Sequence, residues 1–220
     1  MISAGVLHTI AVVILPLLFA ITLHEAAHGW VAMKCGDKTA LMMGRVTLNP
    51  AKHIDAFGTV ILPIALLILS NFTMAFGWAK PVPITWQNLK NPRADKAWVA
   101  LAGPGANLIM ALIWAGVAKI SSYYPVSELA KFFYLMGIYG VGINGILMLL
   151  NLIPLPPLDG SRVISSLLPP RIAAKYDLIE PYGIWILLAL LVFGLLGKVL
   201  YPLTLQFTAG IAALFHLPLN

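Results

Sequence analysis

The 220-residue chain is long enough for one domain or a small helical bundle. Hydrophobic residues make up 60% of it and charged residues 10%. Soluble domains contain about a quarter charged residues, so the composition predicts an integral membrane protein. The net charge of +6 is scattered over loops, which favours membrane topology over nucleic-acid binding. The single cysteine, Cys35, excludes an internal disulfide. We therefore expect an all-α, polytopic transmembrane helical bundle in a lipid bilayer, with no nucleic-acid partner.

The first apolar stretch, residues 6 to 33, is long enough to cross a membrane as a helix and contains the sequence HEAAH. It lacks the basic start and small-residue cleavage site of a signal peptide, so we expect it to be retained. On a helix, His24 and His28 lie on one face and can bind one metal ion. Glu25 flanks that face and can take a proton from a water molecule on the metal. Because ionisable groups in an apolar helix each cost about 2.5 kcal/mol or more, they are expected to pair or to bind metal. The spacing is typical of a zinc hydrolase.

Two short elements follow the first span. Residues 41 to 48, LMMGRVTL, combine β-branched and apolar residues and predict a short strand or hairpin. A polar turn then contains His53 and Asp55. These two side chains can support the metal ligands, bind metal at an alternative site or fix the loop near the membrane surface.

Residues 58 to 77 are long enough to span a bilayer, but Pro63 and the pair Ser70 and Asn71 interrupt them. The loops on both sides of this stretch are basic. Since cytoplasmic loops collect Lys and Arg, both loops are expected on the same side of the membrane, which favours a re-entrant element over a full crossing. The basic residues are Lys34, Lys38, Arg45 and Lys52 before the stretch, and Lys80, Lys90, Arg93 and Lys96 after it.

The rest of the chain predicts a connection and further spans. Residues 78 to 95 are polar and rich in proline, so a long helix is not expected there. Gly103 and Gly105 are expected to allow close approach of helices. Because the apolar stretches leave no room for a separate soluble domain, we expect a single integral membrane domain over residues 1–220. The further stretches are three spans at 97 to 120, 129 to 152 and 182 to 200, and a short membrane or interfacial helix at 203 to 217.

A third metal ligand is expected, because catalytic zinc usually takes three protein ligands and leaves one position for water. Asp159 lies in NLIPLPPLDG, residues 151 to 160, where three prolines prevent a helix as a membrane span ends. Non-helical backbone at that depth is tolerated where it is buried in protein or lines a wet cavity. Gly160 gives the backbone room to place the carboxylate, which favours a ligand role for Asp159 over a helix cap. Asn151 can donate to an oxyanion or can satisfy loop carbonyls as a buried amide.

The motifs HEAAH, AGPGAN and NLIPLPPLDG, in this order and at these separations, resemble the site-2 protease family of intramembrane zinc metalloproteases, peptidase family M50. The stretches GRVTLNPAKHIDAFGT and GWAKPVP are similar to those of small prokaryotic members without PDZ or CBS domains. The resemblance implies one Zn²⁺ per chain, with His24, His28 and Asp159 as its ligands. It also implies Glu25 as the catalytic acid and base, and Asn151 as a residue that assists the oxyanion.

The same resemblance implies a zinc-dependent intramembrane endopeptidase that hydrolyses peptide bonds in transmembrane segments, as in regulated intramembrane proteolysis. Such a protein is a multi-pass protein of the cell membrane, with its active site nearer the cytoplasmic side. Asn107 then has a structural role. The strand at 41 to 48 lies beside the active site, where an unwound substrate can pair with it.

Two other functions are open from the residues alone. A zinc-containing membrane chaperone or scaffold would hold substrate helices without cutting them, but it has no use for Glu25. A metal transporter needs more intramembrane acids or histidines along a path than one cluster supplies.

Overall fold

The computed structural model describes residues 4–69 and 77–218, and this part of the chain is built from helices and their connections. Within these residues, four helices are long and apolar enough to cross a membrane, which makes the chain a multi-pass membrane protein. They are Ile10–Lys34, Pro92–Ser122, Glu128–Asn151 and Leu195–Leu214. The helices in order are α1 (Ala4–Lys34), α2 (Thr39–Met42), α3 (Leu62–Leu69), α4 (Pro92–Ser122), α5 (Glu128–Asn151), α6 (Asp159–Leu167), α7 (Pro170–Asp177), α8 (Glu180–Val192) and α9 (Leu195–Leu214). A π-helical turn occupies Ala56–Ile61, and 3₁₀ turns occupy Pro50–Lys52 and Trp86–Asn88.

The spans predicted at residues 6 to 33, 97 to 120 and 129 to 152 are confirmed as α1, α4 and α5. α4 begins at Pro92 rather than at residue 97, because proline is well suited to the first turn of a helix. The prediction of one helix over residues 182 to 200 is wrong. Gly194 has a φ of +70°, in the left-handed region that ends helices, so α8 stops at Val192 and a new helix follows. α9 is therefore the fourth candidate span, and it absorbs most of the segment predicted at 203 to 217.

The predicted strand or hairpin at residues 41 to 48 is also wrong, since the described residues contain no strand. The first part of this stretch belongs to α2, and Gly44 then turns the chain with a φ of +63°. Val46 and Thr47 supplied the β-branched signal. A strand, however, needs a partner for its backbone hydrogen bonds, and no second strand lies beside these residues in the described part of the chain.

α4 lies at the centre of the bundle, where it contacts α1, α5, α6 and α9. Glycines on α5 allow the closest approach. A Cβ added at Gly140 would overlap the Trp114 ring, and one at Gly137 would lie 2.7 Å from the Trp114 carbonyl oxygen. Small residues promote such packing in lipid, because membrane helices associate through close van der Waals contact. The buried core of the bundle includes Val12, Met110, Trp114, Ala115, Ala118, Met136, Val141, Ile211 and Ala212.

The two ends of the stretch 58 to 77 meet in space. The Trp78 backbone N–H donates to the Gly58 carbonyl oxygen at 3.0 Å, and Thr59 Oγ1 donates to the Trp78 carbonyl oxygen at 2.8 Å. A stretch that ends beside its own start has the geometry that a re-entrant element needs. Ser70 and Asn71 lie outside the described residues, and the re-entrant path stays a prediction.

We expect cysteines placed at Lys38 and at Lys90 to react with a membrane-impermeant thiol reagent from the same face of the membrane. Both positions are exposed, and the Lys90 N–H donates to the Cys35 carbonyl oxygen at 2.9 Å, which brings the two loops together. Labelling of right-side-out and inverted vesicles, in a Cys35→Ser background, measures this. Reaction from opposite faces would show that the chain between them crosses the membrane.

Candidate metal centre

The two predicted ligands of α1 point towards each other from successive helical turns. His24 Nε2 lies 3.1 Å from His28 Nε2, and both side chains are buried. The rings meet edge to face, with their centroids 4.7 Å apart. The i, i+4 spacing therefore does what the sequence predicts, because it places both Nε2 atoms on one side of the helix.

Asp159 reaches these imidazoles from the first turn of α6. Its Oδ2 lies 3.2 Å from His24 Nε2 and 3.3 Å from His28 Nε2. Zinc binds imidazole nitrogen and carboxylate oxygen at about 2.0–2.1 Å in tetrahedral geometry, so neighbouring ligand atoms lie about 3.3 Å apart. The three observed separations match one face of such a tetrahedron. Among the described residues, His24, His28 and Asp159 form the one group of this kind that can hold a metal ion.

Hydrogen bonds at the opposite ring nitrogens orient both imidazoles. His28 Nδ1 lies 2.7 Å from the carbonyl oxygen of Val99, which can only accept, so Nδ1 carries a proton. His24 Nδ1 lies 2.7 Å from Asn107 Oδ1. A neutral ring with its proton on Nδ1 directs the lone pair of Nε2 towards Asp159. Three electron-rich atoms at these distances repel one another unless a cation lies between them, so the residues fit a zinc ion.

Two buried asparagines, on α4 and α5, form a chain of hydrogen bonds that ends at His24. The amide nitrogen of Asn107 donates to the Ala20 carbonyl oxygen at 3.1 Å and to Asn144 Oδ1 at 3.0 Å. Because both amide hydrogens are used, Asn107 Oδ1 faces the histidine. Asn144 donates in turn to the Gly140 carbonyl oxygen at 2.9 Å. Asn107 therefore orients a metal-binding ring, whereas the sequence assigned it only a structural role. Asn144 was missed, and its one signal was a polar residue inside an apolar span.

The loop before α6 places the Asp159 carboxylate. A Cβ added at Gly160 would lie 2.7 Å from the Ile153 carbonyl oxygen, so this position needs a glycine. The side chain of Asp159 is mostly buried, with 18% of its surface exposed. Its buried Oδ2 accepts no hydrogen bond from the described residues. An ionised oxygen without a hydrogen-bond donor suits a metal ligand.

The far end of α6 is fastened to α4. Arg93 donates to the carbonyl oxygens of Ser166 at 2.8 Å and Leu168 at 2.9 Å, where the helix leaves backbone oxygens without partners. Lys96 donates to Ser165 Oγ at 2.8 Å. Positive charge at a helix C-terminus is favourable. These contacts hold α6 against the helix that also orients the two histidines.

The remaining predicted site residues lie in different surroundings. Glu25 is half-buried, and its Oε2 accepts a hydrogen bond from the Val82 N–H at 2.8 Å. The Asn151 amide donates to the Leu147 carbonyl oxygen in its own helix at 2.9 Å, which agrees with the alternative of an amide that satisfies a backbone carbonyl. Its oxyanion role stays a prediction.

His53 and Asp55 fix the loop that contains them. His53 Nε2 lies 3.0 Å from the Thr47 carbonyl oxygen. Asp55 accepts from the Gly58 N–H at 2.7 Å and so begins the π-helical turn. Of the three roles left open for this pair, these contacts support fixing the loop.

The chain matches the family model for peptidase family M50 over residues 12–136. That range includes both histidines and Glu25, while Asp159 lies beyond it. The chain belongs to this family. It is a metalloprotease, and the zinc in its relatives' names agrees with the His, His and Asp group described above.

Two curated relatives carry matching names. The "Putative zinc metalloprotease YwhC" of Bacillus subtilis (strain 168) is 40% identical over 196 residues, which cover 86% of this chain and 84% of the relative. The "Putative zinc metalloprotease Rip2" of Mycolicibacterium smegmatis is 28% identical over 191 residues, which cover 86% of this chain and 70% of the relative. No solved structure matches the chain significantly.

Gly103, in the AGPGAN motif, lies directly behind the metal centre. A Cβ added there would lie 2.6 Å from His24 Nε2 and would overlap His28 Nε2. The sequence predicted close approach of helices at this glycine. The groups that come close to Gly103 are the two histidine rings themselves. Any side chain at this position would therefore collide with the predicted metal ligands.

We expect Gly103→Ala to lower the affinity for zinc by about tenfold or more, because the new methyl group must displace the ligand rings. Gly105→Ala is the matched control, since a Cβ there meets nothing within 4 Å. Titration of the purified variants against a competing zinc chelator measures both affinities. Equal affinities for the two variants would contradict the observed geometry.

Proposed function

We propose that this metalloprotease is a zinc-dependent intramembrane endopeptidase, which cleaves peptide bonds in transmembrane segments of membrane proteins, as in regulated intramembrane proteolysis. One observation carries the proposal: His24 and His28 converge with Asp159 from a helix that is long and apolar enough to span the bilayer. Family membership supports proteolysis as the reaction. The position of both histidines within the candidate span Ile10–Lys34 supports a site inside the membrane. A hydrolytic site inside a span acts on peptide bonds that reach that depth.

In the proposed mechanism, His24, His28 and Asp159 hold one zinc ion per chain. Bound zinc supplies a Lewis acid that activates water and polarises the scissile carbonyl. Glu25 takes a proton from the attacking water and returns it to the leaving amine. Asn151 stabilises the oxyanion through its amide, which has a second N–H beside the one donated within α5.

The active site is proposed to lie nearer the cytoplasmic side of the cell membrane. His28 precedes Lys34, at the end of α1, by six residues, or about 9 Å along the helix axis. The two basic loops lie at this end of α1, and Lys and Arg collect in cytoplasmic loops. Residues 1–220 act as a single integral membrane domain in this proposal.

The protein has an apolar groove of about 490 Å³, which supports the proposal that the substrate lies in the membrane. It lies between α1 and α4, and its lining includes Ala26 and Ala27 of α1 but neither Glu25 nor the three ligands. An apolar surface suits a transmembrane segment. Because a helix hides its carbonyls until it unwinds, we expect segments with helix-weakening residues to be cut best.

We expect the purified protein in detergent to cut single-span membrane peptides, and Glu25→Gln to lower the rate by about 10²-fold to 10⁴-fold. Glutamine keeps the size of the side chain but cannot take the proton, so the zinc content should stay that of the wild type. Glu128→Gln is the matched control, because Glu128 pairs with Lys131 on the exposed end of α5. Gel or mass analysis of the products, with and without a zinc chelator, measures cleavage.

Two outcomes would contradict the proposal. Cleavage by Glu25→Gln at the wild-type rate would remove Glu25 from the mechanism. A zinc-loaded wild type that cuts no peptide of a panel with helix-weakening residues would favour a scaffold that holds membrane segments without cleaving them.

A further inference from the structure

Glu25 receives a hydrogen bond from a distant part of the chain. Val82 lies in a stretch without regular secondary structure between Trp78 and the 3₁₀ turn Trp86–Asn88. Its backbone N–H donates to Glu25 Oε2 at 2.8 Å. We name residues 80 to 85 (KPVPIT) the crossing segment, because this segment crosses α1 beside Glu25. A backbone donor aimed at the proposed general base makes the crossing segment part of the active site.

The two prolines beside Val82 set the register of this contact. Pro81 and Pro83 have no backbone N–H, so Val82 has the only N–H in the triplet. A shift of the crossing segment by one residue in either direction would place a proline opposite Glu25 and remove the donor. The sequence therefore permits one alignment of this triplet with the carboxylate.

Hydrogen bonds fasten the crossing segment before Val82. Arg45 is buried, and its Nη2 donates to the carbonyl oxygen of Lys80 at 2.8 Å. The Lys80 N–H donates in turn to the carbonyl oxygen of His53 at 2.9 Å. The loop that follows α2 therefore holds the start of the crossing segment.

A buried carboxylate fastens the crossing segment after Val82. Asp37 is 0% exposed, and its Oδ2 accepts from the Thr85 N–H at 2.8 Å. Its Oδ1 accepts from Asn88 Nδ2 at 3.1 Å. Asp37 follows the end of α1 by three residues, so the anchor of the crossing segment lies directly after the helix that carries Glu25.

The side chain of Val82 packs on α1 as well. A Cβ added at Gly29 would lie 3.0 Å from Val82 Cγ1, and Gly29 lies one helical turn after Glu25, on the same face. Val82 is 6% exposed. Its backbone and side chain therefore meet the helix at neighbouring turns, which leaves little freedom for the N–H to move.

We propose that Val82 is a positioning residue for Glu25. Its N–H holds Oε2, and so directs Oε1 towards the attacking water. The inference rests on the general-base role of Glu25 proposed above. The prolines set which N–H reaches the carboxylate, and Asp37 keeps that N–H in place.

The first test compares Val82→Pro, which removes the N–H, with Val82→Ala, which keeps it and removes two methyl groups. Because a hydrogen bond to a charged group is lost, we expect kcat of Val82→Pro to fall about tenfold to hundredfold below that of Val82→Ala. KM and zinc content should match between the two variants. Equal kcat values, or a higher kcat for Val82→Pro, would overturn the proposal.

The second test does not depend on catalysis or on the folding of Val82→Pro. Hydrogen–deuterium exchange is measured at the Val82 amide, which the flanking prolines isolate from other amides. Exchange should be faster in Glu25→Ala than in the wild type, while Glu25→Gln, which retains an acceptor oxygen, should stay protected. Equal exchange in Glu25→Ala and the wild type would overturn the proposal.

The two proposals fail in different ways. A wild type that cuts no membrane segment, with Val82 exchange that still depends on Glu25, would refute the proposed intramembrane cleavage and leave the contact intact. Cleavage that requires Glu25 but has the same kcat in Val82→Pro and Val82→Ala would refute the positioning role alone.

Discussion

Burying His24 and His28 in a membrane helix is unfavourable unless each ring nitrogen has a partner. Each Nδ1 lies 2.7 Å from an oxygen on α4, and each Nε2 faces Asp159 and the other histidine. A metal ion suits this set, because a neutral ring whose Nδ1 donates its proton presents the lone pair of Nε2 to the shared centre. The rest of the fold is arranged so that three helices supply these partners together.

The residues of α4 that face the two histidines have the same four-residue spacing as the histidines on α1. Val99, Gly103 and Asn107 recur every four residues along α4, and they face His24 and His28, which have the same spacing on α1. The helices run in opposite directions, since the earlier residue of α4 contacts the later histidine. Gly103 lies between the two contacts, where a side chain would displace the ligands. One helix face thus orients both rings and leaves room for the metal.

The sequence predicted the parts of the molecule whose signals are local. Spacing on a helix indicated His24 and His28, and proline-rich backbone at the end of a span indicated Asp159. The strand at 41 to 48 was wrong because pairing depends on a distant partner, which composition does not reveal. Val82 was missed for a related reason: its contribution is a backbone N–H, and only the tertiary structure brings it 2.8 Å from Glu25.

Zinc K-edge X-ray absorption of the purified protein tests the metal centre most directly. We expect one zinc per chain with imidazole nitrogens and carboxylate or water oxygens at about 2.0–2.1 Å, and an altered ligand shell in Asp159→Ala. A sulfur ligand at about 2.3 Å would instead indicate Cys35. That result, or a spectrum that Asp159→Ala leaves unchanged, would contradict a centre formed by His24, His28 and Asp159.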